Sequence, residues 1–181
     1  MGKRLPKEED LKRVLLFFIK LNILFLPIYA VIYFDLKYEP VQIVFAGIVN
    51  LLISILGFKI VQDGYMLYLG DDGFPIDISF DCIGWKSSYS LIALVVASPG
   101  SWGEKFSFLL RWVPVMFLLN LARVVIALVI GYLFGFSFIP IIHDYVLQVA
   151  MILAVLFVWR IYLLGQLKPA KSKSKIYRKA K

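Results

Sequence analysis

The chain has 181 residues, 61% hydrophobic and 18% charged, with a net charge of +8. Soluble domains carry roughly 45–50% apolar and about 25% charged residues, so this composition excludes an ordinary soluble domain. The basic residues are not interleaved with aromatics on a soluble face, which argues against a nucleic-acid partner, and a single cysteine excludes an internal disulfide and any multi-cysteine metal site.

Residues 1–13 are polar, with five basic and three acidic side chains. Val14–Phe34 is the first apolar run, broken by Lys20 and Asn22. No small-residue cleavage site follows a short apolar core, so it reads as a retained helix. After a short loop, Val41–Val61 reads as a second span, ended by Gln62-Asp63-Gly64. Residues 62–81 carry five aspartates and no basic residue. Within them Phe74-Pro-Ile76-Asp77-Ile78-Ser79-Phe80 alternates apolar and polar, the period of a half-buried strand. Tyr65–Leu69 precedes it, with Gly70-Asp-Asp-Gly73 between, which predicts a β-hairpin over residues 64–81 on the membrane surface.

Cys82–Ser98 reads as a third span, stopped by Pro99-Gly100. Trp102–Trp112 contains Lys105 and Arg111 and is expected to lie along the membrane face. Val113–Phe136 is the fourth span, with Pro114 tolerated near its first turn. Ile141–Leu164 is the fifth, opened by Pro140. Residues 165–181 form a basic tail, with seven basic and no acidic residues from Lys168 onward. The stretches of about 20 apolar residues suit a bilayer. The expected fold is an all-α integral membrane bundle of about five transmembrane helices with a small extracytoplasmic β-hairpin.

Charge sets the expected orientation. The tail and the Lys105/Arg111 segment should be cytoplasmic and touch anionic membrane lipid. The aspartate ribbon, Cys82 and His143 then share the outer face. Five spans place the termini on opposite sides, and the tail outweighs the N-terminal segment, whose net charge is only +2.

Three residues are singular: the only cysteine, the only histidine, and Arg123, the one arginine deep inside an apolar run. Cys82 sits at an expected helix N-terminus, where unpaired N–H groups and the helix dipole favour a thiolate. Gly84 allows a backbone or substrate to come close. Asp81 next door opposes the thiolate unless a positive charge answers it, and a lone cysteine beside an apolar helix also serves simply as packing. A charge at mid-span costs at least about 2.5–3.5 kcal/mol, so Arg123 is either functional or paired with a buried carboxylate such as Asp81 or Asp144. Asn120 shares its helix face and is placed to hold the guanidinium. The unperturbed pKa of a histidine, near 6.5, suits His143 to proton exchange, though interfacial histidines are commonly plain surface residues. Asp144 follows it directly, and adjacent helix positions do not face each other. Together the three supply a thiol, a base and a cation for an oxyanion. One geometric condition applies. Arg123 lies about 20 Å of helix below Phe136. The pocket must therefore sink into the membrane, or the fourth helix must loosen near Gly131 and Gly135.

Cys82-x-Gly84-x-x-Ser87, then Asn120-x-x-Arg123, then His143-Asp144, with an alternating strand running into the cysteine, resemble the exosortase/archaeosortase family of membrane transpeptidases. The likeness covers about residues 64–160. It implies a cysteine protease or transpeptidase acting on secreted proteins that carry a C-terminal signal: a motif, a hydrophobic helix and a basic tail. It also implies transfer of the new C-terminus to a lipid or glycan acceptor. Carried over, Cys82 is the nucleophile, Arg123 the transition-state cation and His143 the third member, with Asn120, Gly84, Ser87 and Asp144 in support. The chain is shorter than larger members and is expected to lack the additional N-terminal spans common among them. The ribbon is further expected to add the extended motif as a strand. No cofactor is implied. One thiolate and one imidazole would need two carboxylates as well to close a zinc site, so no metal is expected. The competing reading is a non-enzymatic transport or assembly subunit in which Arg123 neutralises a buried carboxylate.

Overall fold

The computed structural model describes residues 8–71 and 73–167. Residues 1–7, Asp72 in the expected Gly70–Gly73 turn, and the basic tail from residue 168 onward lie outside the described residues. Helix α1 runs from Glu8 to Tyr33 with Pro27 inside it, and α2 from Glu39 to Ile55 with Pro40 in its first turn. Helix α2 ends six residues before the expected boundary at Val61. The cause is Gly57, at φ 87°. Its N–H bonds the Ser54 carbonyl and the Phe58 N–H bonds that of Ile53, the paired closure of a Schellman motif.

The residues released from the expected second span form an extra strand. Strands β1 (Ile60–Asp63), β2 (Met66–Leu69) and β3 (Phe74–Asp77) make a three-stranded antiparallel sheet in chain order, not a simple hairpin. Leu67 and Leu69 alternate inward on β2 and are fully buried, as the two-residue period requires. Gln42 of α2 donates to the Ile78 carbonyl at 3.0 Å and ties the sheet to the bundle. Phe74 stacks on Phe136, and Phe58 meets Tyr132 edge-on, so the sheet covers one end of the helices.

Phe80–Ile83 is a 3₁₀ turn, and α3 (Trp85–Ala97) starts only after Gly84. Cys82 therefore precedes α3 instead of opening it. Helix α4 runs unbroken from Trp102 to Phe134, which replaces the expected surface helix plus fourth span by one element. It is nucleated by a capping box: Ser101 accepts from the Glu104 N–H, and Glu104 accepts from the Ser101 N–H. At 1.5 Å per residue its 33 residues span about 50 Å, more than a hydrocarbon core of roughly 30 Å. The Lys105 end is held by a bond from Nζ to the Val96 carbonyl at 2.8 Å. The chain reverses at Gly135, passes through a single turn, α5 (Phe138–Pro140), and a π-helix (Ile141–Val146), and continues as α6 (Leu147–Leu167).

Leu11–Tyr33, Trp102–Phe134 and Phe138–Gln166 are long and apolar enough to cross a membrane, and α2 and α3 are shorter apolar helices. The fold is thus a mostly helical membrane bundle with a small sheet. Large apolar side chains cover its exterior, among them Leu15, Phe18, Val44, Leu118 and Phe157. Lipid solvates such a surface, so packing falls to the interior. One buried cluster joins Phe45 and Val49 of α2, Leu67 and Leu69, Cys82, and Leu121, Val124 and Leu128 of α4. A second joins Leu91 and Val95 of α3, Met116 of α4, and Met151, Val155 and Tyr162 of α6.

Candidate active site

Cys82 is held by its backbone as much as by its packing. Asn120, fully buried on α4, donates Nδ2–H to the Cys82 carbonyl at 2.6 Å. Gly84 adopts φ 83°, and a Cβ there would lie 2.5 Å from Asn120 Cγ. Only glycine lets the turn sit this close to α4. Ser87 donates to the Gly84 carbonyl at 2.9 Å and braces the start of α3. Gly84 and Ser87 of the family-like motif thus shape the turn that presents the thiol.

The thiol meets two partners, Ser79 Oγ at 3.3 Å and His143 Nε2 at 3.8 Å. The other ring nitrogen, Nδ1, is 2.7 Å from Asp144 Oδ1. This overturns the expectation that Asp144 is a poor orienting partner. His143 and Asp144 lie in the π-helix, which winds more residues into each turn. Successive side chains there diverge by a smaller angle than in an α-helix, and the pair closes.

Arg123 donates from Nη2 to the His143 carbonyl at 2.9 Å and from Nη1 to Asn120 Oδ1 at 3.5 Å. Its Nε is buried and has no protein partner. Among the described residues it forms no ion pair. Neither Asp81 nor Asp144 takes the role of a buried counterion. Asp81 instead pairs with Lys86 at 2.7 Å. Asn120 does less for the guanidinium than expected, since its shorter bond goes to Cys82.

The cavity that holds Cys82 reaches along α4 as far as Arg123. Arg123 lies eleven residues, about 16 Å, before the end of α4. His143 descends beside it because the chain turns back at Gly135. Helix α4 does not loosen at Gly131. That glycine instead lets the Ile139 side chain approach, where a Cβ would collide. The loosening falls on the opposite limb, in the π-helix, a feature frequent at functional sites.

Cys82, His143, Arg123, Asn120, Gly84, Ser87 and Asp144 all line one cavity of about 620 Å³. One wall is polar, with Asp77, Ser79, Asp81 and Lys86, and the opposite wall is apolar, with Leu94, Met151, Ile152 and Val155. Cys82 lies ahead of α3, outside the spanning helices. Burial pushes its thiol up, but hydrogen bonds with His143 and Ser79 and the charges of His143 and Arg123 outweigh that and hold it below the ordinary cysteine value. Ser79 and Gln148 escaped the sequence reading. Ser79 was visible only as a polar position of the alternating strand, and Gln148 carries no local signal. Among the described residues no cluster of three or more His, Cys, Asp or Glu is placed to hold a metal ion.

Fold and site define an integral membrane protein with a thiol, an imidazole and a guanidinium gathered at one cleft. The chain matches the family described as Transmembrane exosortase (Exosortase_EpsH) over residues 9–167, and it belongs to that family. Members of this family are generally cysteine transpeptidases associated with protein sorting at the membrane. No curated protein and no solved structure matches the chain.

Proposed function

We propose that this protein is a cysteine transpeptidase that cleaves a C-terminal sorting signal from secreted proteins at the outer face of the membrane. The observation that carries the reading is the convergence of Cys82, His143 and Arg123 on one cavity, with Sγ and Nε2 3.8 Å apart. In the resting site the thiol proton passes to His143 Nε2. The sulfur attacks the scissile carbonyl carbon, and the C=O electron pair moves onto oxygen. Arg123, whose guanidinium lines the cavity, stabilises that oxyanion. On collapse the C–N bond breaks and the leaving amine takes the proton from His143. The acyl group remains on Cys82 as a thioester. A hydroxyl or amine of a lipid or glycan acceptor then gives its proton to His143 and attacks the thioester, and the thiolate leaves. Asp144 holds the imidazole in the tautomer that has Nε2 free to accept.

The test is Cys82→Ser, co-expressed with a secreted protein carrying a motif, an apolar helix and a basic tail at its C-terminus. Loss of the size shift that marks tail removal, with the variant still inserted and monodisperse in detergent, is the expected outcome. Full processing by Cys82→Ser would end the enzyme reading and favour a non-enzymatic subunit. The mass of the new C-terminus separates transfer from hydrolysis.

A further inference from the structure

Strand β3 is an edge strand, since the sheet order is β1-β2-β3. Its hydrogen-bonding phase follows from one bond, Ile78 N–H to the Tyr65 carbonyl at 3.3 Å. In the same register Asp77 faces Met66, Ile76 faces Leu67 and Pro75 faces Tyr68. Antiparallel ladders alternate bonded and non-bonded pairs. Phe74, Ile76 and Ile78 therefore point their backbone groups at β2. Pro75 and Asp77 point theirs away from it. Pro75 supports this phase independently, because a proline without an N–H is tolerated where that position faces off the sheet.

The free edge thus offers the Asp77 N–H, the Asp77 carbonyl and the Pro75 carbonyl, and no hydrogen bond among the described residues takes them up. A short edge bearing a proline and a carboxylate is also how proteins blunt unwanted pairing. Here, however, Asp77 lines the cavity that contains Cys82, and the strand continues through Ser79 into the cysteine turn. A peptide that reaches the thiol passes this edge. The cavity also has a direction: polar at the β3 end, apolar between α3 and α6 at the other. The apolar end suits the side of the substrate that continues into a membrane helix. That leaves the acyl side for the edge.

We infer that β3 is a substrate subsite: the extended residues just before the cleaved bond pair with the backbone of Asp77, and the Pro75 carbonyl takes a further N–H. The inference rests on the thiol chemistry proposed above. Recognition at this subsite is by backbone and is indifferent to side chains at the paired position.

The test uses the full chain purified in detergent and a tripeptide chloromethyl ketone, acetyl-Ala-Ala-Ala, which alkylates Cys82. Three further ketones carry one N-methyl group each. Iodoacetamide, which has no peptide backbone, reports thiol access in every protein, and the readout is the ketone rate divided by the iodoacetamide rate. One neutral hydrogen bond corresponds to about threefold to tenfold. At least one N-methyl ketone should lose that factor on the unmutated protein. Asp77→Pro, which removes the outward N–H together with the carboxylate, should lose a similar factor, and Asp77→Ala, which removes the carboxylate and keeps the N–H, should retain the peptide preference. Equal rates for all four ketones on the unmutated protein would overturn the inference, with no mutant needed. An equal loss in Asp77→Ala and Asp77→Pro would also overturn it, by pointing to the carboxylate. Either result, combined with lost processing in Cys82→Ser, removes the edge subsite and leaves the thiol enzyme standing.

Discussion

Replacing Gly84 by alanine tests whether close approach of the cysteine turn to α4 organises the site. Two costs follow from the structure. At φ 83° an L-residue is strained by about 1–2 kcal/mol. The new Cβ would also lie 2.5 Å from Asn120 Cγ and 2.7 Å from its Nδ2, so Asn120 must leave. Asn120 is fully buried and its bond to the Cys82 carbonyl is lost with it, about 1–3 kcal/mol more. The sum is about 2–5 kcal/mol. Gly57 provides the matched control, since it has φ 87° with nothing within 4 Å of its added Cβ, and Gly57→Ala incurs the backbone strain alone. Thermal unfolding in detergent and processing of a secreted reporter are measured side by side. Gly84→Ala should be the less stable variant and should process poorly, because the thiol shifts relative to His143. Equal destabilisation of the two variants would refute the argument, showing that the turn yields without disturbing Asn120.

Two further outcomes follow from the imidazole and the thiol. Asp144→Asn should slow processing by about tenfold to a hundredfold with the fold kept. That is less than the roughly 10⁴-fold seen when a buried triad aspartate is changed, because Asp144 is 59% exposed and water partly replaces it; an unchanged rate would remove Asp144 from the machinery. Because the Cys82 thiol is held below its ordinary value, its iodoacetamide labelling should rise with pH around a midpoint lower than that of an unperturbed cysteine. His143→Ala removes the first of the interactions that lower it and leaves burial to raise it, so the midpoint should move up. Intact-mass labelling across neutral pH reads both, and a midpoint at or above the ordinary value in the unmutated protein would contradict the described site.

Composition and apolar run length were enough to read a membrane bundle, because hydrocarbon dictates long apolar helices whatever their packing. Singular chemistry was equally legible. A lone thiol, a lone imidazole and a mid-span arginine each stand out against an apolar background, and they do meet. What sequence missed depends on groups distant along the chain. The extra strand β1 arose because Gly57 closed α2 early and Leu69 was available to pair with Ile60. Helix α4 stayed whole through Pro114 because a capping box started it and buried contacts held it on both sides. The His143–Asp144 pair needed a π-helix, a winding that no local periodicity announces. Arg123 had several possible partners by composition, and only packing chose the His143 carbonyl over a carboxylate. Sequence by itself determined the solvent, the span chemistry and which side chains stand out as candidates for the site, since these follow from side-chain type. Tertiary structure alone decided the depth of the site and the pairing within it. Those depend on where two antiparallel helices turn, and Gly135 sets that turn for Arg123 and His143 together.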